Sequence, residues 1–510
     1  MATVCIGGGV DMPVRPYTRG QMWLLPPSLD DLIPMDHVVR FIASFVDQLD
    51  LGALGLRQVS APRGGLEYDV RLLLALWVYG FMMRIRSTRR LEAAAKENLP
   101  LIWLLGGQHP DHSTLARFLQ ANRKAMRGLF KQTVCTSVQV GLVGFALHAV
   151  DGTRVSTVSR DKGLNRDELL ALEKRAEEAI AQLERSVEAE EQSVTVDPEG
   201  CAMPEALKDP EELQARVKQA LAELEERKAN RKGHHAGAIN PKTGEPYGPE
   251  INLADPQAVQ LKGRHGFVMG YNAQAAVDEK ARVIVGAEVI AQATDNEALV
   301  SMLDEIEANT GRLAEATVYD SGYHSAENLA AVQDRSTDVY VADPNMKRQE
   351  SKSEKGAYHK DAFVYDAETD TYRCPAGKTL VLEAVSAGPN QDGHGIRVYR
   401  CKGCRDCPNR ELCTEDKNGR RIHVRPQDAL LRQNREKMRT EQGKKKMRQR
   451  AATVEPVFAV MREHMGLTRF LRRGLENVRA EWFLLCAAYN LRVIWQAWKC
   501  KAEIKVAMAA

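Results

Sequence analysis

The sequence predicts an α/β protein with an all-α N-terminal region and two insertions, and three observations carry that expectation. Short β-branched runs alternate with amphipathic helical stretches between residues 145 and 342. The first 140 residues carry helical periodicity instead. Five of the ten cysteines crowd between Cys374 and Cys413. A length of 510 residues exceeds what one hydrophobic core normally supports, so two to four structural units are expected.

In chain order, Arg71–Arg84 (RLLLALWVYGFMMR) is apolar nearly all round and predicts a buried helix, and Arg89–Lys96 predicts a short one. In GGQHPDHSTLARFLQANRKAM, Pro110 and Asp111 make a turn, Ser113 is placed as N-cap, and Thr114–Met126 continues as a helix. Leu115, Phe118 and Leu119 share one face, with Arg117, Arg123, Lys124 and Arg127 around it. Helix, turn and basic helix resemble a helix-turn-helix unit; a solvated helix in an all-helical bundle is the alternative.

Phe145–Val158 is rich in β-branched residues and predicts a strand, with Asp151–Gly152 at a bend or bulge. Leu169, Leu172 and Ala176, then Leu213, Val217, Leu221 and Leu224, recur at helical steps and predict an antiparallel helical hairpin over residues 165–230. The run RKGHHAGAINPKTGEPYGPE is a basic loop; its His234 and His235 have metal-ligand chemistry, but Gly, Pro and Asn content favours a plain loop. Gly266–Val277 and Arg282–Ile290 predict two strands. Thr294 is placed as the cap of a helix running to about Asn309, with Glu297 as its capping-box partner. Ala316–Tyr319 predicts a strand ending at Asp320, Ser325 starts a helix, and Asp338–Ala342 is the last strand.

Beyond the cysteines, Lys417–Arg450 carries positive over negative charge by about four to one, and Ala451 to about Lys501 is helical. The net charge of +3 therefore hides a segregated basic stretch. No apolar run reaches the roughly 18 residues of a membrane span. The start MATVCIGGGV lacks the basic flank and apolar core of a signal peptide. A cytoplasmic location and no membrane partner are the expectation, and in a reducing compartment clustered cysteines suggest metal rather than disulfides.

Asp151 in AVDGTRV and Asp320 in ATVYDSGYHS both belong to inferred strands of one sheet. Open α/β sheets gather ligands at strand ends, and hard divalent ions want carboxylate oxygens. Each aspartate alone equally fits a turn; the pair is more specific. Glu455, just before Pro456, is placed at the first turn of the last helical run, with Arg462 two turns along the same face. Glu463, Glu476 and Glu481 are rivals that spacing does not exclude.

HAVDGTRV, GFVMGYNAQAAVD, ATDNEALVSML, YDSGYHSAENL, the cysteine cluster and RAATVEPVFAVMREHMGLTRFLRRGLENVRAEW, in that order, resemble the transposases of bacterial insertion sequences, in the group with an RNase H-like DDE domain. The resemblance implies an RNase H-like mixed sheet flanked by helices. It implies Asp151, Asp320 and Glu455 as the catalytic acids, holding two Mg²⁺ (or Mn²⁺) ions. It further implies binding of terminal inverted repeats in double-stranded DNA, strand hydrolysis, and attack of the freed 3′-hydroxyl on target DNA. A basic residue, often Lys, typically follows the glutamate by seven positions in this group; here it is Arg462. Related members carry a Tyr and an Arg shortly before the glutamate, where this chain has Met447 and Arg450. A homodimer is expected in the active complex. A nuclease on the same fold is the rival reading; it would share the acids but need no inverted repeats.

On this reading residues 1–140 are a helical DNA-binding domain, 141–160 the first RNase H-like strand, and 161–250 the hairpin insertion and basic loop. Residues 251–345 hold the core with Asp320, 346–420 the cysteine-rich, zinc-ribbon-like insertion, and 421–510 the basic segment and C-terminal helices. Cys374, Cys404, Cys407 and Cys413 are the expected ligands of a structural Zn²⁺, with Cys401 spare or a substitute; a set of reduced thiols is the alternative. Lys446, Arg448, Arg450 and Arg462 are expected at the DNA near the acids, and Arg117 and Arg123 at the end sequence.

Overall fold

The computed structural model describes residues 28–57, 67–158, 163–191, 210–229, 250–263, 266–344, 358, 360–386, 395–404, 406–425 and 428–509. His234, His235 and the link 192–209 between the hairpin helices lie outside these residues.

Six helices come first: α1 (Val38–Asp47), α2 (Val70–Met82), α3 (Thr88–Glu97), α4 (Leu99–Leu104), α5 (His112–Ala121) and α6 (Ala125–Gln139). As its all-round apolarity predicts, α2 is buried from Leu73 to Met82. The single helix expected over Thr114–Met126 is two helices. Asp111, not Ser113, is the cap, accepting from the Thr114 N–H at 2.6 Å. Asn122 ends α5 because its buried amide is drawn to Arg57, accepting from the Arg57 N–H (2.7 Å) and donating to its carbonyl (3.1 Å).

The central sheet has six strands: β1 (Leu147–Ser156), β2 (Val259–Gly263), β3 (Gly266–Asp278), β4 (Ile284–Ile290), β5 (Ala316–Tyr319) and β6 (Asp338–Val341). Its order is β2-β3-β1-β5-β6, with β4 also on β3. β1, β3 and β4 pair antiparallel, whereas β1, β5 and β6 run parallel. Between β1 and β2 the chain makes α7 (Arg166–Glu191) and α8 (Pro210–Ala229), the expected hairpin, which pack around Leu169, Val217, Ala220 and Leu224. α9 (Ala298–Thr310) and α10 (Ala326–Ala331) connect the later strands.

A second, five-stranded antiparallel sheet carries the cysteines: β7 (Val364–Asp366), β8 (Thr371–Arg373), β9 (Thr379–Ser386), β10 (Ile396–Cys401) and, after the short α11 (Arg410–Cys413), β11 (Arg421–Val424). Then come α12 (Asp428–Arg439), α13 (Glu441–Glu463) and α14 (Leu475–Ala509). Among the described residues no helix is long and apolar enough to cross a membrane.

One apolar core runs through the N-terminal helices, the central sheet and α14; the hairpin and the cysteine sheet have small cores of their own. α14 makes this continuity. Its Trp482 indole donates to the Gln274 carbonyl of β3 at 3.0 Å, and its buried Asn490 bonds both the N–H and carbonyl of Ile284 on β4 while reaching Thr133 on α6.

Three local expectations need correction. Asp151–Gly152 is no bulge: β1 keeps regular register against β3 through Asp151↔Ala275 and Gly152↔Gln274. Thr294 caps nothing; α9 begins at Ala298, with Glu297 at the N-cap position and no side-chain cap bond. Pro456 does not open a helix but lies inside α13, whose cap is Thr440. A proline inside a helix loses one backbone hydrogen bond; here Val454, Val457, Phe458 and Met461 bury the sheet-facing side of the same turns and hold the helix together.

Candidate active site

β1 and β5 are parallel neighbours with Ala149 opposite Val318. Two residues further along each strand stand Asp151 and Asp320, so the register sets the two acids side by side. Asp320 follows the last residue of β5, and its Oδ1 accepts from the Gly322 N–H at 2.7 Å, closing a tight turn over Ser321–Tyr323. Asp151 Oδ1 accepts from the Gly152 N–H at 2.9 Å. Burial pushes both carboxyls above the usual range. Arg450 opposes the shift at Asp151 and the charge of Asp320 adds to it; the Gly322 N–H opposes it at Asp320 and the charge of Asp295 adds to it.

Asp295 is the functional candidate that sequence reasoning missed. It sits in the loop before α9, where Asn272 Nδ2 (2.6 Å) and Gln274 Nε2 (2.7 Å) of β3 both donate to its Oδ1. Gly152 admits it to the sheet: a Cβ there would lie 2.4 Å from Asp295 Oδ1. A Cβ at Gly322 would lie 2.6 Å from Asp295 Oδ2 and 3.0 Å from Asp320 Oδ1, so both carboxylates crowd the same point. The buried Tyr323 donates to Gln274 Oε1, and its hydroxyl is pushed well up by burial and then by Asp295, Asp151 and Asp320 together. The readable signal was two amides, Asn272 and Gln274, at same-face positions of an otherwise apolar strand.

α13 lies across β1, β5 and β6. Its Arg450 Nη1 stands 2.9 Å from Asp151 Oδ2, and its Arg462 donates to Thr153 Oγ1 on the same strand. Glu455 lies between these two arginines in the helix, exposed, and among the described residues it has no ion-pair or hydrogen-bond partner. The rival acids are engaged elsewhere or stand at the helix end. Glu481 is buried against Arg86 and accepts from the Leu471 and Arg472 N–H groups; Glu476 pairs with Arg479; Glu463 is the last residue of α13. Lys446 and Arg448 lie one turn before Arg450 or less, half-buried and exposed respectively. Arg117 and Arg123 stand on and just after α5, bonded to Ser113, Thr114 and Gln120, and not to the acids.

All five clustered cysteines (Cys374, Cys401, Cys404, Cys407 and Cys413) line one cavity of about 20 Å³. Backbone N–H groups point at two of the sulfurs: Lys378 to Cys374 at 3.2 Å and Arg420 to Cys404 at 3.5 Å. Burial and a hydrogen bond with Cys404 push the Cys401 thiol up to about 12, and burial raises Cys413. As they stand, no group of three or more His, Cys, Asp or Glu among the described residues is close enough set to hold a metal ion. In the acidic cluster protein groups stand against the carboxylates: Arg450 pairs ionically with Asp151, and Asn272 and Gln274 donate to Asp295.

Residues 373–495, which include the cysteine cluster, α13 and much of α14, match the family model described as Transposase DDE domain. This match supports an insertion-sequence DDE transposase. The N-terminal helices agree: residues 27–121 match the model described as Transposase domain (DUF772). No curated protein matches the chain. The DDE match covers Arg450, Glu455 and Arg462, whereas Asp151, Asp295 and Asp320 precede it in sequence and join it through the fold of the sheet.

Proposed function

We propose that the transposase binds the terminal inverted repeats of its insertion sequence, cleaves DNA by metal-assisted phosphodiester hydrolysis, and joins the 3′-hydroxyl ends to target DNA. The observation that carries this reading is the register that sets Asp151 beside Asp320 on adjacent parallel strands, under a helix bearing Arg450, Glu455 and Arg462. The strand order, with four antiparallel strands joined to a parallel trio through β1, supports an RNase H-like core.

On this reading Asp151, Asp320 and Glu455 hold two Mg²⁺ or Mn²⁺ ions. The chemistry of the donors fits: carboxylates are the ligands hard divalent cations prefer, and burial of Asp151 and Asp320 makes their combined charge costly without a cation, while the exposed Glu455 would have to turn toward them. Bound there, such ions ease formation of an oxygen nucleophile and neutralise charge at phosphorus. The chain's own residues orient the centre. Gly152 and Gly322 leave room for Asp295; Asn272 and Gln274 fix its carboxylate; Arg450, Arg448, Lys446 and Arg462 supply positive charge for the DNA backbone beside the acids. Arg117 and Arg123 in the N-terminal DNA-binding domain (1–140) contact the DNA end. The cysteine-rich insertion is held by a structural Zn²⁺ on Cys374, Cys404, Cys407 and Cys413, a reading the N–H···S contacts support, since such bonds favour thiolate. The active complex is a homodimer in the cytoplasm.

The test is incubation of purified protein with its own element ends and Mg²⁺, with strand products mapped on a denaturing gel. Free 3′-hydroxyl ends and joined products are expected, and Asp320→Asn abolishes both. Cleavage without joining, or at sites unrelated to the inverted repeats, would favour a nuclease instead.

A further inference from the structure

A cavity of about 130 Å³ opens where α5 meets the turn into α14, lined by Gln120, Arg123, Arg472, Arg473 and Asn477 among others, with no carboxylate on its wall. That is many times the roughly 10–15 Å³ one water requires. Arg472 is the side chain that asks for explanation. Its guanidinium lies over the Trp77 ring, 5.2 Å from the centroid, and among the described residues no hydrogen bond to it is formed. Burial pushes its pKa down, with Glu481 opposing and Arg86 adding to the shift. Glu481 compensates it only in part, since it also pairs with Arg86 and accepts from the Leu471 and Arg472 N–H groups. Arg123 has its Nε buried without a partner, and Arg473 is exposed at the rim. The first turn of the 35-residue α14 adds the positive end of its dipole. Desolvated guanidinium groups of like charge are destabilising unless an anion joins them.

We infer that this pocket is a phosphate-binding site, distinct from the acidic centre, that takes a backbone phosphodiester of DNA through Arg123, Arg472 and Arg473. Planar guanidinium forks match the oxygen pairs of a phosphate, and three of them on a pocket wall that carries no acid favour a diffuse oxyanion over a carboxylate side chain of the protein. Its place in the fold suits DNA. Phe470 N–H bonds the carbonyl of Ser156, five residues beyond Asp151 on β1, and Arg472 follows two residues later. At about 3.3 Å per strand residue the bond lies roughly 17 Å from Asp151, a span of some five base-pair steps. The identity of the occupant as DNA rests on the transposase reading above; the anion site does not.

Two measurements on the full chain separate the possibilities. One is binding of duplex carrying the element end against salt concentration; the other is calorimetric titration with inorganic phosphate. The variants are Arg472→Gln and the double variant Arg123→Gln/Arg473→Gln, whose side chains are nearer the surface and spare the fold should Arg472→Gln unfold. Loss of phosphate binding together with a fall of about 1 in the slope of log K against log salt per phosphate contact removed is the expected result. Loss of phosphate binding with an unchanged DNA slope would overturn the DNA assignment and leave a site for free phosphate. No change in either measurement would overturn the site. Asp320→Asn should keep the slope and the phosphate binding and lose cleavage in the gel assay, so failure of the acidic-centre reading remains distinguishable.

Discussion

Arg450 holds a guanidinium nitrogen 2.9 Å from the Oδ2 of Asp151, with both side chains largely withdrawn from water. A monovalent protein cation thus stands where the proposed chemistry calls for a divalent one. Arg450→Gln should tighten Mn²⁺ binding to the DNA-free protein by about tenfold, equivalent to about 1.4 kcal/mol, while cleavage of element ends falls because a phosphate contact is lost. Calorimetric titration with Mn²⁺ checks the first half; unchanged or weaker binding would show that Arg450 and the ion do not compete.

Gly152→Ala would set a methyl group 2.4 Å from Asp295 Oδ1, 2.6 Å from Gln274 Nε2 and 2.8 Å from Asn272 Oδ1. All three neighbours are side-chain atoms, so the strand survives and the Asp295 carboxylate moves. The expected cost in stability is that of modest overpacking, about 1–3 kcal/mol. Cleavage should fall far more, by about a hundredfold, if Asp295 orients the centre. Urea unfolding and single-turnover cleavage measured together decide it; full activity in a folded protein would remove Asp295 from the site.

Glu481 and Arg86 form a buried ion pair, and Glu481 also accepts from the N–H groups of Leu471 and Arg472. Removing one partner strands the other in the core. Glu481→Ala should destabilise by about 3–5 kcal/mol in urea unfolding, and Arg86→Ala similarly. A cost below about 1 kcal/mol would mean that water reaches the pair.

Asp278 gives the stability curve an acid limb. Burial alone would raise its carboxyl, but the imidazole of His148 beside it and the N–H groups of Gly144, Phe145 and Lys280 outweigh burial and hold it below the ordinary value of 3.8. A carboxyl held low in the fold binds its proton more readily when unfolded. Its contribution is therefore complete above about pH 4 and lost as pH falls through the lower folded value. Asp278→Asn should flatten that part of a plot of unfolding free energy against pH; an unaltered acid limb would place the protonation elsewhere.

The cysteine sheet separates ligand from bystander. If Cys374, Cys404, Cys407 and Cys413 hold zinc, elemental analysis of purified protein should find about one ion per chain. Cys413→Ser should lose it and Cys401→Ser keep it. Loss in both, or zinc in neither the parent nor the variants, would redraw or remove the site.

Strands were legible in the sequence because their β-branched runs are short and bounded by turn residues; Ala316–Tyr319 is observed within the predicted limits. What escaped was set by contacts between distant segments. Thr294 and Glu297 have capping-box spacing, yet Asn272 and Gln274 draw Asp295 onto the sheet and the helix starts only after them. Asn122 breaks a helix that its own propensity would continue, because it bonds Arg57, 65 residues away. Pro456 signals a helix start at Glu455; α13 instead begins 14 residues earlier at Glu441, so the basic run Lys444–Arg450 lies on the helix rather than in a linker. The partnership of Arg450 with Asp151 had no local signature at all.

The long separation between β1 and α13 also orders events during synthesis. A ribosome adding roughly 5–20 residues per second takes about 15–60 seconds to pass from Asp151 to Arg450. During that interval the hairpin and the cysteine sheet can settle on their own small cores, while one face of β1 waits for its covering helix. Translation that halts before residue 450 leaves the acids of the sheet without the arginines that flank them. Completion of the centre is thereby tied to near-complete reading of the message, so truncated products carry the strand acids but not the assembled site.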